Sequence, residues 1–160
     1  RLPFGVQYAQ GLLTVPTDFV LTVQEDYFLY DDVNAEAIEK AIGLYGFPSV
    51  RLIDSGNFYS YSLQASIWDT AELIRVYAKH RHCRTPWEAE TTICRATSLA
   101  KRYIHPDCRG AKRGRDHFDS TILPYISTAL CRGKWNSEYR PELEPMLATY
   151  NIDPNQRGWT

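Results

Sequence analysis

Apolar positions in the first third of the chain come in short β-branched and aromatic blocks rather than at helical spacing. Phe19, Val20, Leu21, Thr22 and Val23 form one block, Glu25 and Asp26 offer a turn, and Tyr27, Phe28, Leu29 and Tyr30 form the next. This predicts a hairpin within a first thirty residues read as extended. The period then changes. Asn34 can cap a helix with Ile38, Ala41, Ile42 and Tyr45 on one face, Glu36, Glu39 and Lys40 on the other, and Gly46 as its stop. Residues 50–53 and 57–63 predict two more strands joined at Asp54, Ser55 and Gly56, the second alternating Phe58, Ser60, Ser62 against Tyr59, Tyr61, Leu63. Residues 1–65 therefore read as a small antiparallel sheet carrying one amphipathic helix.

Helical start signals dominate from there. Asp69 and Glu72 make a capping box with Trp68 and Leu73 as a hydrophobic staple, and Thr85 and Glu88 make a second with Pro86 at the first helical position. Helices are predicted over 70–80 and 86–104. A third starts at Ser120 or Thr121, tolerates Pro124 in its first turn, buries Ile122, Ile126, Ala129 and Leu130, and ends at Gly133. The tail, 136–160, carries Pro141, Pro145 and Pro154 and reads as short turns and loop. The expected fold class is α+β: one globular domain, 1–160, with the N-terminal sheet and its helix packed against a disulfide-tied helical C-terminal half (66–135).

The disulfide expectation rests on four cysteines, Cys83, Cys94, Cys108 and Cys131, an even number confined to one stretch. A single helix over 86–104 would set its ends ~25 Å apart, beyond the ~17 Å that a few extended residues can reach. Cys83 then cannot meet Cys108, and Cys94 lies too deep in the helix for Cys83. Elimination leaves Cys94 to Cys108 and Cys83 to Cys131. Such pairing suits a secreted, extracellular protein, and the chain opens on Arg1 with no leader pattern, although no N-x-S/T acceptor supports secretion. No apolar stretch is long enough for a membrane span.

Charge adds a partner. Residues 1–75 hold four Lys/Arg against ten Asp/Glu, whereas 76–135 hold twelve against five. The basic middle points to an anionic ligand, a nucleic acid among the candidates, or to attraction between the two parts of the fold. The anion-binding candidates are Arg95, Arg102, Arg109, Lys112, Arg113 and Arg115. His105, His117 and Asp119, with Asp107 and Asp116 nearby, could supply acid–base chemistry, because an imidazole titrates near neutral pH and cations stabilise a phosphate under attack. His80 and His82 suit a helix C-terminus better than a metal, and nothing calls for a cofactor or metal site. Lys101-Arg102 and Lys112-Arg113 resemble dibasic processing sites. Nucleotide-loop, zincin, nucleophile-elbow and zinc-knuckle motifs are absent from the sequence.

The leading expectation is a secreted toxin-like or effector-like protein that binds an unknown protein or anionic partner through its basic patch or a surface of Tyr27, Tyr30, Tyr59 and Tyr61. The rival is a small secreted nuclease or phosphodiesterase, and a third is a self-assembling structural subunit.

Overall fold

The computed structural model describes residues 2–24, 27–44, 46, 48–52, 61–96, 102–104, 112–113, 117–118, 120–126 and 128–160. In chain order they form α1 (Phe4–Leu12), β1 (Phe19–Thr22), β2 (Phe28–Leu29), α2 (Ala35–Leu44), β3 (Ser49–Arg51), β4 (Ser66–Asp69), α3 (Thr70–Lys79), α4 (Pro86–Ala96), β5 (Arg102–Ile104), β6 (Lys112–Arg113), β7 (His117–Phe118), β8 (Tyr125–Ile126), β9 (Leu130–Cys131), β10 (Lys134–Trp135) and α5 (Arg140–Thr149). The fold is mixed α and β, with five α-helices and several small sheets among the described residues.

The largest sheet runs β1-β4-β3-β5; β4 is antiparallel to both its neighbours, and β3 is parallel to β5. Successive side chains of a strand face opposite sides. On β4, Ile67 joins a core of Val50, Leu52, Ala65 and Tyr125 beneath Ala41 of α2, while Trp68 joins a second core with Leu12, Leu73, Tyr77, Ala89 and Ile93 from α1, α3 and α4. α2 thus covers one face and three helices the other. A third core, of Ile126, Ala129, Trp135, Tyr139, Leu143 and Leu147, gathers α5 and the β9–β10 hairpin.

Local chemistry starts the helices. Asn34 Oδ1 accepts from the Ala37 N–H at 3.0 Å to open α2, Asp69 accepts from Glu72 N–H at 2.8 Å to open α3, and Thr85 Oγ1 accepts from Glu88 N–H at 3.1 Å to open α4. Each such cap contributes about 1 kcal/mol. Neither capping box closes reciprocally. The Asp69 N–H already donates to the Pro48 carbonyl, so Glu72 turns to Arg75 at 2.5 Å, and Glu88 accepts from Arg84 N–H at 2.7 Å.

The disulfide-tied helical half is overturned on both counts. Among the described residues no disulfide forms: Cys83, Cys94 and Cys131 are thiols, and Cys108 lies outside the described residues. Cys83 and Cys94 belong to the second core, while Cys131 sits on β9, so neither Cys83 to Cys131 nor Cys94 to Cys108 is made. Nor does one helix run across 86–104 to hold the cysteines apart, since 102–104 is a strand. Apolar burial does the holding that bridges were expected to do.

The helix expected up to Gly133 is replaced by strands. Ser120 Oγ donates to the Leu52 carbonyl at 2.8 Å and accepts from the N–H groups of Ile122 and Leu123, and the Pro124 carbonyl accepts from Tyr30 N–H at 3.1 Å. Gly133 (φ 81) and Arg132 (φ 52) form the two-residue turn between β9 and β10, a type I′ requirement rather than a helix stop. At the other end, 4–12 is helical, not extended. The 19–30 hairpin does not form either, since β1 pairs with β4 and β2 with β8. Most of the 57–63 strand lies outside the described residues, and 61–63 is not strand. The tail holds the ten-residue helix α5. No helix among the described residues is long and apolar enough to cross a membrane.

α1 is seated by its backbone: the N–H groups of Phe4 and Gly5 donate to the carbonyls of Arg84 and Cys83 at 3.3 and 2.9 Å. A Cβ at Gly5 would lie 2.5 Å from the His80 carbonyl oxygen, whereas one at Gly11 would meet nothing within 4 Å. Gly5→Ala should therefore destabilise by about 1–3 kcal/mol, against the ~1 kcal/mol that alanine brings to a helix. Gly11→Ala should stabilise by up to ~1 kcal/mol. Urea midpoints of the two variants check this, and equal shifts of the same sign would contradict it.

Candidate functional site

His105, Arg109, Arg115 and Asp119 lie outside the described residues, as do Asp107 and Asp116. Arg95 is exposed in the last turn of α4, where a cation suits the negative end of the helix dipole. Arg102 opens β5, opposite Ser49 of β3. Lys112 and Arg113 form β6, and β6 pairs antiparallel with β7 so that Lys112 stands opposite Phe118 and Arg113 opposite His117. Two residues that sequence reasoning assigned to separate tasks, anion binding and acid–base chemistry, are thus cross-strand neighbours on one ribbon, with Cα atoms about 4.5–5.5 Å apart as in any antiparallel pair. Arg132 and Lys134, exposed on the β9–β10 hairpin, are further cations that sequence reasoning passed over.

A second constellation was not foreseen. Tyr8 of α1 stacks on Tyr77 of α3 with ring centroids 4.4 Å apart, and Phe4 and Tyr61 approach Tyr77 edge-on. Tyr61 also tilts against Trp68 at 5.7 Å, and its hydroxyl is hydrogen-bonded to the Tyr77 hydroxyl. Tyr61 and Tyr77 are 3% and 0% exposed. Burial holds both phenols well above the usual tyrosine range, with the nearby Glu90 charge adding to the rise, and burial pushes Tyr8 up to about 12. Glu90 is itself held by the Leu63 N–H, which donates to it at 3.0 Å. Beside these rings lies a pocket of about 110 Å³, walled by Phe4, Tyr8, Tyr61 and Trp68, with Thr22, Gln24 and Ser62 as polar lining. The available signal was the four-residue spacing of Phe4, Tyr8 and Leu12, which marks a helical face.

Packing engages the three described members of the tyrosine surface expected from the sequence. Tyr61 is core, Tyr30 packs on the third core, and Tyr27 stacks on Tyr125 at 4.5 Å, both their hydroxyls donating to Gln64 Oε1 at 3.1 and 2.8 Å. Tyr59 lies outside the described residues. His80 and His82 have ring centroids 6.0 Å apart; burial, then His82 and Lys79, hold His80 below the usual histidine range. Among the described residues no three His, Cys, Asp or Glu side chains converge as metal ligands.

The raised phenols carry a pH dependence. Unfolded tyrosines ionise near pH ~10 while the buried ones resist, so this contribution to stability is complete below about pH 10 and is lost as pH rises toward the folded values. The urea midpoint followed by circular dichroism should fall between about pH 9 and about pH 11.5, and fall less in Tyr61→Phe. A midpoint flat across that window would show that the phenols are not held neutral by the fold.

No family model, no curated protein and no solved structure matches this chain, so its function is read from its own residues.

Proposed function

We propose that the protein works by binding a polyanionic partner through the basic run 95–117, with the β6–β7 ribbon as the presenting element. The observation that supports it is the register that sets Arg113 opposite His117, next to Lys112, on a two-stranded ribbon, which gathers cations and an imidazole on one short element for a phosphate backbone to meet. The run holds seven Lys/Arg against two Asp/Glu in a chain of net charge −1, so its cations are concentrated rather than balanced. A secreted, toxin-like or effector-like setting would suit such a binder, although the thiols of Cys83, Cys94 and Cys131 lend it no support.

The same register favours a second reading, phosphodiester hydrolysis, since it sets an imidazole residue, the commonest general acid–base, opposite a guanidinium residue, the type that stabilises a charged phosphate.

Anisotropy of a short fluorescent RNA tests both. With about four cations engaged, affinity should fall roughly 50-fold between about 50 and about 200 mM salt. The double variant Lys112→Glu with Arg113→Glu should weaken binding by at least about tenfold. Absent binding, or binding indifferent to salt, defeats the proposal, and RNA cleavage abolished by His117→Ala would replace binding with catalysis.

A further inference from the structure

The aromatic pocket has a chemistry distinct from that of the basic ribbon. Its walls come from α1 (Phe4, Tyr8), from the segment after β1 (Gln24), from Tyr61 and Ser62, and from β4 (Trp68), so non-local parts of the chain converge on it. Among the described residues no Lys, Arg, Asp or Glu lines it. Its room, about 110 Å³, is below the roughly 150 Å³ that accommodates benzene in an engineered apolar cavity, and part of it opens to solvent. Size therefore limits an occupant to about one ring.

The hydroxyl of the lining residue Tyr61, bonded to that of Tyr77, sets the polarity. Tyr61 and Tyr77 carry two hydroxyl hydrogens and share one hydrogen bond, with no other hydrogen bond from either hydroxyl among the described residues. One hydrogen is therefore left over. Tyr77 is fully buried and does not line the pocket, whereas Tyr61 does. The arrangement that serves both has Tyr77 donating to Tyr61 and Tyr61 turning its own hydrogen toward the pocket, because a buried donor left unsatisfied costs about 1–3 kcal/mol. An acceptor in the pocket completes the chain. The neighbouring Glu90 carboxylate, whose charge is felt at Tyr61 and Tyr77, opposes an anion there.

We propose that this pocket binds a neutral, single-ring aromatic compound bearing one hydrogen-bond acceptor, an aryl amide or ring carbonyl, with its ring against Phe4, Tyr8 and Trp68 and its acceptor on the Tyr61 hydroxyl. Aromatic faces complement aromatic walls, and offset or edge-on ring pairs add to plain area burial. Tyr61 is then the residue that sets specificity, and Trp68 the one that reports occupancy.

The test is titration of the full chain with benzamide, toluene, benzoate and tetramethylammonium, followed by the indole resonance of Trp68, assigned with Trp68→Phe. Benzamide should shift that resonance and bind at least about tenfold more tightly than toluene or benzoate, the worth of one buried hydrogen bond. Tyr61→Phe should reduce benzamide affinity about tenfold and leave toluene unchanged. The comparison of benzamide with toluene needs no variant, so it stands even if Tyr61→Phe is destabilised. Toluene binding as tightly as benzamide, preference for tetramethylammonium, or no shift with any of the four would overturn the proposal.

Discussion

The alternation of β4 is the constraint on which the large sheet and two of the three cores depend. Ile67 and Trp68 are adjacent in sequence and face opposite ways, so one short strand supplies each core with a buried anchor. The same strand is hydrogen-bonded on both sides, to β1 and to β3. It ends on Asp69, which caps the helix that follows with no linker between them. Strand, sheet interior and helix start are thus fixed relative to one another within a few residues, and the helices on both faces take their positions from it.

The legible parts of this architecture were those in which cause and effect lie within four residues. Asn34, Asp69 and Thr85 each satisfy a backbone N–H three positions ahead, and a helix starts where each was read. Pairing partners were not legible. The block around Phe19 was recognisable as a strand, but its partner is β4, and the strand at Phe28 pairs with Tyr125 and Ile126 nearly a hundred residues later. A turn signal between two strands favours the nearest pairing, and tertiary packing overrode it. Gly133 shows a different failure: a positive φ serves a helix end and a hairpin turn equally well, and only the pairing of Leu130 with Trp135 decides. The even cysteine count misled because it is an inference about compartment, with no geometry in it.

The candidate sites divide along the same line. Clustered Arg and Lys are visible in composition, so the basic run could be named from the sequence, although the opposition of Arg113 and His117 is a fact of register. The pocket could not be named, because Phe4, Gln24, Tyr61 and Trp68 meet only after α1 and β4 are in place. As proposed, the two sites would make opposite use of water. Cations attract from a distance and are screened by salt, whereas buried phenols act only on what has been stripped of solvent.

Cys83 joins these levels in one residue. Its carbonyl holds the first turn of α1, its sulfur is wholly buried in the second core, and burial pushes its thiol up from the usual range. A reagent can meet that sulfur only after the helices above it lift away, because the reactive form is the exposed thiolate. The rate at which the thiol is captured is therefore a clock for the opening of this helical layer. The protein thus carries a built-in gauge of how firmly the wall of its aromatic pocket is held shut.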